Sequence, residues 1–418
     1  MVQKDDSKII EVVHSVCCGL DVHKDKVSAY LIFHDAKGNE QSDVKEFGTF
    51  TDDLIRMREW LLGHACPVLA MESTGVYWRP VYNILEDHLR VILVNPRDMK
   101  NVPGRKTDIS DSKWLAGLLK HGLLRGSFIP PQEVRQWRDL TRMRRRYVQT
   151  ASDYRRRTQK LFESANIKID SVVADLFGVS GRHLMNLLVS GQEISLSAVQ
   201  SCIKGRLKRT DKEIFRAIQG FFNDHHRFQL RSLLRMVQHL EDEIACISNQ
   251  IRCLMSGHED VLGRLKETHG ISEIASRDIL AELGPTLEAF PSDAALASWS
   301  GLCPGNNESA GKRKSGKSPV FKHHLKTIMV EVAWAAVRTK GSYYKDKYHR
   351  LKYRIGAKKA LIAVAHRILK AIYRIIKEGV HFRDLGEEYL ILRNKSKKVQ
   401  RLKKQAQMLG FELVPQTA

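Results

Sequence analysis

The chain has 418 residues, 43% of them hydrophobic, which excludes a largely disordered protein and leaves room for two or three domains with real cores. Its formal net charge of +22 and pI near 9.7 point to a polyanionic partner. No apolar run reaches membrane-span length, and the seven cysteines form neither a C-x-x-C pair nor a zinc spacing, as expected of reduced thiols.

The charge is unevenly spread. Residues 1–130 hold 17 basic against 18 acidic residues, 135–160 hold 10 against 2, and 341–418 hold 19 against 6. A near-neutral N-terminal part followed by two basic regions is the footprint of a nucleic-acid partner rather than a membrane surface. The opening MVQKDDSKII lacks a signal-peptide core, so a cytoplasmic protein is expected.

In chain order, VCCGLDVH (16–23) and KVSAYLIFH (26–34) read as two strands around a tight polar break, and VKEFGTF follows the turn-forming AKGNE as a third. DDLIRMREWLLGHA is helical, PVLAMES is a short apolar strand, VYWRPVYNILEDHL is helical, and RVILVNP is a buried-looking strand. A helix opening within RKTDISDSKWLAGLL (105–119) closes the series. The order β-β-β-α-β-α-β-α predicts an α/β layered sheet.

Four acids stand out on these elements. Asp21 interrupts the apolar first strand, and Glu72 ends the fourth, where an open α/β sheet places its ligand crevice. Asp108 and Asp111, three apart, share one helix face, an arrangement that also suits an ordinary acidic first turn. Four acids converging on one site repel unless divalent cations compensate them. Mg²⁺ suits such an all-oxygen set, and two ions can clamp the attacking and leaving oxygens of a phosphodiester.

Residues 131–165 read as a long helix with an apolar seam through Leu140, Met143, Tyr147, Tyr154 and Leu161. Arg142, Arg144, Arg145, Arg146, Arg155, Arg156 and Arg157 crowd its other faces, as a phosphate-tracking surface or as a solvated helix. Residues 166–225 suggest short helices. Heptad-like spacing returns over 226–256, through Leu233, Met236, Val237, Leu240, Ile244, Ile247, Ile251 and Leu254. Antiparallel pairing with the earlier helix, or dimerisation, would use it. His225 and His226 lack ligand spacing and read as surface residues.

Residues 261–284 read helix, Gly turn, helix: a helix-hairpin-helix that grips phosphate, or a plain αα-hairpin. SWSGLCPGNNESAGKRKSGKS (298–318) is a glycine-rich loop made basic by Lys312, Arg313, Lys314 and Lys317. Residues 323–340 form an apolar helix. Beyond it, Tyr343, Tyr344, Tyr348 and Tyr353 are interleaved with cations, which suits unpaired bases or covers a core. The tail NKSKKVQRLKKQ is expected to be mobile and solvated.

The stretches GLDVHK, MESTGVYW, NPRDMKNVPGRKTDISDSKWLAGLL and WSGLCPGNNESAGKRKSGKS resemble the insertion-sequence transposases of the IS110 type, bridge-RNA-guided DEDD recombinases. The resemblance covers residues 16–130 and roughly 258–340. It implies a multi-domain α/β plus all-α protein: an RNase H-like (RuvC-like) domain over 1–130, a helical coiled-coil linker over 131–258, a transposase domain over 259–345 with the helix-hairpin-helix-like segment and a serine loop, and a basic helical region over 346–418. It implies that Asp21, Glu72, Asp108 and Asp111 are the DEDD metal ligands, for two Mg²⁺ or alternatively Mn²⁺. It implies that the serine after the Gly-Pro turn, here Ser309, bonds covalently to DNA. Ser315 and Ser318 are the alternatives, because this chain has Ser-Ala-Gly where Ser-Gly is common.

The partners so implied are donor and target DNA, a structured bridge RNA, and further copies in a dimer or tetramer, in the prokaryotic cytoplasm and on the nucleoid when DNA-bound. Two other functions fit the residues: a RuvC-like Mg²⁺ endonuclease that hydrolyses branched DNA with water, and a non-catalytic nucleic-acid-binding protein.

Overall fold

The computed structural model describes residues 11–73, 75–95, 111–205, 209–304, 307–309, 312–315, 323–386 and 388–412; side chains within 307–315 are not described. The chain forms two compact units, Met1–Ile129 and Pro130–Ala418. Among the described residues, no helix is long and apolar enough to cross a membrane.

The N-terminal unit is built on strands β1 (Cys17–Val22), β2 (Lys26–His34), β3 (Glu40–Gly48), β4 (Val68–Glu72) and β5 (Arg90–Val94). They lie in the order β3-β2-β1-β4-β5, with β2 antiparallel to both β1 and β3, and β1, β4 and β5 parallel. The layered α/β sheet expected from the order of elements is present.

Strand alternation sorts the side chains onto two faces. Cys18, Leu20, Leu69, Met71 and Leu93 pack with α1 (Thr51–Gly63) and α2 (Trp78–Leu85), through Leu54, Met57, Leu61, Val81 and Leu85. On the opposite face, Cys17, Val68, Ala70 and Val94 pack with Leu115, Ala116 and Leu119 of α3 (Asp111–Lys120).

Gly19 decides how close α3 comes. A Cβ at this position would collide with the Ser112 carbonyl oxygen and the Ala116 amide, so the helix backbone lies directly on the strand. Further along, the Cys17 thiol donates to the Ala116 carbonyl at 3.6 Å, and the amides of Val13 and His14 donate to the Lys120 carbonyl. Helix α3 therefore runs antiparallel to β1 and starts where β1 ends.

Among its described residues, the C-terminal unit is helical apart from one two-stranded antiparallel pair. Its spine is a pair of long helices, α4 (Gln132–Ser164) and, after the short α5 (Ile169–Val172), α6 (Val179–Ser190), α7 (Leu196–Cys202) and α8 (Asp211–Ala217), α9 (Asp224–Leu254). The start of α4 (Val134, Trp137) packs with the end of α9 (Ile247, Ile251), and its end (Leu161, Phe162) with the start (Leu230). The two helices are thus antiparallel and bury each other within one chain. The seams accordingly supply no argument for an oligomer.

The α4 seam is wider than the one read from its apolar residues: Leu140 and Tyr147 pack against it and Leu161 lies in it. The buried positions are Val134, Trp137, Thr141, Arg144, Ala151, Thr158, Leu161 and Phe162, whereas Met143 is 39% exposed. Spacing by sevens through 137, 144, 151 and 158 places an arginine in the seam. Arg144 is tolerated because it donates to Asp278 of a neighbouring helix. Burial pushes the Asp278 carboxyl up to about 6 against the pull of Arg144. This pair is desolvated as well as paired.

Helices α10 (Glu259–Lys266) and α11 (Glu273–Leu283) follow, joined through Gly270 at φ +88°, where a side chain would collide with the backbone of α13 (His324–Ala336). The amides of Thr268 and Ile271 are used inside this turn, donating to Leu265 and Thr268 carbonyls. Before α13 come α12 (Asp293–Trp299) and the antiparallel strands β6 (Asn307–Ser309) and β7 (Lys312–Ser315). After it come α14 (Tyr343–Ile355), α15 (Ala357–Glu378) and α16 (Tyr389–Met408). Tail residues 394–405, expected to be mobile, thus belong to a helix.

Two predictions follow from this packing. Replacing Arg144 or Asp278 alone by alanine should strand a buried charge and cost about 3–5 kcal/mol, whereas the double variant Arg144→Met/Asp278→Leu should be near neutral. Chemical denaturation of all three reads the difference. Gly19→Val should displace α3 and lower the melting temperature of the N-terminal unit, because overpacking costs at least about 1–3 kcal/mol. An unchanged melting temperature would mean that α3 is not held on the strand.

Candidate active site and nucleic-acid surface

The alternation that puts Cys17 and Gly19 under α3 continues to Asp21, and that of Val68 and Ala70 continues to Glu72. Strands β1 and β4 are parallel, with Leu20 opposite Met71, so Asp21 and Glu72 come next in register at their C-terminal ends. Asp111 is the first residue of α3, which starts at that same end. Three of the four predicted acids thus gather at one corner of the sheet, all half-buried. Asp108 lies outside the described residues.

His23 was not singled out from the sequence. Its Nε2 lies 3.1 Å from Asp21 Oδ2. The signal was available in the D-V-H spacing, since residues two apart share a strand face.

The donor chemistry at this corner suits a hard divalent cation, because carboxylate oxygens dominate it. Among the described residues, no three acids, histidines or cysteines stand close enough together to hold a metal ion. The acids share a corner without closing into a cage.

In the C-terminal unit, β6 and β7 pair Ser309 with Lys312 and Glu308 with Arg313, so Ser309 sits at the turn end of a short hairpin that also carries Lys314. Lys317 and Ser318 lie outside the described residues. Trp299 and His323 flank the excursion that carries the hairpin, and their rings meet edge to face at 4.3 Å between centroids. The excursion therefore leaves and re-enters the helical body at one place. Burial pushes His323 down to about 4, which leaves its imidazole uncharged at neutral pH.

The arginine run divides. Arg142 makes two 2.8 Å bonds to Glu282, which is 2% exposed, and Arg138 donates to the carbonyls of Ala281 and Glu282. Burial alone would raise Glu282, but the bonds and charges of Arg142 and Arg138 outweigh it and hold the carboxyl below its usual range. Arg144 is held by Asp278, Arg145 by Glu331, Arg155 by Glu241 at 2.7 Å and Arg156 by Asp153. Arg146 and Arg157 are exposed and have no carboxylate partner among the described residues, although Arg157 lies over the Tyr154 ring.

The tyrosines also divide. Tyr343, Tyr344 and Tyr348 are buried, and the Tyr343 amide donates to Asp384 at 3.2 Å; Tyr353 alone of the four is exposed. Three of the aromatics read as base-stacking candidates are therefore core residues. Their alternation with lysines marks a helix with one buried and one charged face.

Two family models match the chain. The DEDD transposase model of the IS110 type, described as "Transposase", matches residues 18–167, and the model "Transposase IS116/IS110/IS902 family" matches residues 262–349. No curated protein matches. Among solved structures, RuvC from Thermus thermophilus is similar at 13% identity over 27% of this chain and 99% of that one, with a TM-score of 0.21. The first model begins in β1 and takes in the remaining strands of the five-stranded sheet; the rest of the chain is mostly helical. With matches on both sides of the long α9, the chain belongs to the IS110-type DEDD transposases, enzymes that act on DNA.

Proposed function

We propose that this transposase cuts and rejoins DNA through a covalent bond to Ser309, with Asp21, Glu72, Asp108 and Asp111 as its metal-binding acids. The observation that carries the reading is the gathering of Asp21, Glu72 and Asp111 at the ends of two parallel strands and the start of the helix that crosses them. Like charges so placed favour a compensating cation, and Mg²⁺, with Mn²⁺ as a substitute, is the ion their oxygens suit. When bound, such an ion supplies charge neutralisation at the scissile phosphate.

The chain's own groups divide the remaining work. The Ser309 hydroxyl oxygen attacks phosphorus and loses its proton; one P–O bond forms, another breaks, and the leaving sugar oxygen takes a proton. The energy of the phosphodiester is kept in the serine ester, so the end can be rejoined by reversal onto another strand. Lys312, Arg313, Lys314 and Lys317 would neutralise phosphate next to that serine. Arg146 and Arg157 offer charge for backbone contacts, while Arg138, Arg142, Arg144, Arg145, Arg155 and Arg156 are paired with carboxylates. A structured guide RNA and assembly into a dimer or tetramer complete the proposal and rest on the family alone.

Wild-type protein should form a denaturant-resistant adduct with its DNA in Mg²⁺, absent in Ser309→Ala and in Asp111→Asn. Asp21→Asn, Glu72→Gln and Asp108→Asn should abolish cleavage while changing nucleic-acid binding less than about threefold. Cut ends with no adduct would replace this mechanism with hydrolysis by water. An adduct mapped to Ser315 or Ser318 would move the nucleophile.

Truncation before Asn394 should weaken nucleic-acid binding and flatten its dependence on salt. An unchanged slope would remove α16 from the interface.

A further inference from the structure

A groove of about 890 Å³ runs along α14 and α15 in the C-terminal unit. Its floor is apolar, from Leu351, Ile355 and Ile362, and its rim is basic, from Lys358, Lys359 and Arg367. Among the described residues, no carboxylate lines it. Lys370, deeper in, pairs with Asp293 at 2.9 Å. One wall is formed by Pro304, the last described residue before the hairpin that carries Ser309.

Apolar floor and cationic rim together restrict the occupant. A duplex offers phosphates outside and keeps its base faces stacked within, so it would meet the lysines and leave Ile355 and Ile362 uncovered. A purely apolar ligand would cover the floor and leave the cations unpaired. An unpaired nucleotide has both parts, a flat base and a charged phosphate, joined at the spacing of one residue of the strand. His366 adds a planar ring to the lining, and burial lowers its pKa, so the ring is uncharged at neutral pH.

We infer that this groove binds unpaired nucleotides of a DNA strand, with base faces on Leu351, Ile355 and Ile362 and the flanking phosphates on Lys358, Lys359 and Arg367. The inference deepens the proposed function and rests on it for one point, that the strand held beside Pro304 is the one cut at the hairpin. The binding itself does not require that Ser309 be the nucleophile.

The test uses the full chain carrying Ser309→Ala, which removes cleavage, and a fluorescent oligothymidine read by anisotropy beside a duplex of equal length. Ile362→Glu should weaken oligothymidine binding at least tenfold and duplex binding less than twofold, and Ile362→Leu should restore it. Lys358→Gln/Lys359→Gln, which leaves the floor intact, should lower the salt slope for oligothymidine by about 1.4. The double variant keeps the test valid if Ile362→Glu fails to fold. Equal losses for single strand and duplex would overturn the inference by making the groove part of a general cationic surface. Unchanged oligothymidine binding would also overturn it. So would an acidic amphipathic peptide that binds in an Ile362-dependent way while oligothymidine does not, which would assign the groove to a protein partner. Adduct formation by the parent chain, measured separately, reports on the serine reading alone.

Discussion

The N-terminal unit depends on one close approach, the backbone of α3 resting on Gly19 of β1. Only a residue without a Cβ admits that contact, which seats the first turns of α3 on the strand. Asp111 opens the helix, so the same steric fact that seats α3 also delivers a carboxylate to the end of β1. Asp21 and Glu72 arrive there for a second reason, the parallel pairing of β1 and β4. The corner is thus over-determined by packing, above a sheet that is apolar on both faces.

How much of this was legible in the sequence depended on the kind of pattern. Strand alternation and the order of elements led directly to the sheet, and an acid inside VCCGLDVH was an anomaly visible without coordinates. The seam of α4 was legible only in part. Counting apolar residues found Leu140, Tyr147 and Leu161, but it also selected the exposed Met143 and missed Thr141 and Arg144, which the helix turns inward. An arginine cannot be recognised as buried until Asp278, more than a hundred residues later, is seen to face it. For Tyr343, Tyr344 and Tyr348 the choice between base stacking and covering a core stayed open for a similar reason, and the core reading holds. Their neighbours in sequence are cations, while their neighbours in space are the rings of Tyr389, Phe382 and Trp334.

Net charge likewise overstated the surface offered to a polyanion. Of seven arginines between 142 and 157, five are paired with carboxylates of the same unit. Buried or half-buried, such pairs fix the register of α4 against α9 and α11 instead of recruiting phosphate. The exposed pair Arg156–Asp153 contributes little to stability. What remains for nucleic acid is concentrated elsewhere, on the hairpin, on α15 and along α16, where lysine dominates over arginine. Lysine binds phosphate as a mobile point charge, without the fixed fork that would demand one orientation of the strand.

The edge-to-face contact of Trp299 with His323 has a consequence for length variation. Because the two rings join the ends of the serine-bearing excursion, its closure has already been established by the helical body. The entropy of a closed loop grows only with the logarithm of its length, by about 0.6 kcal/mol for each doubling. Insertions or deletions between the rings should therefore alter stability little, so the reach of the hairpin can be reset in relatives without rebuilding the helices beneath it.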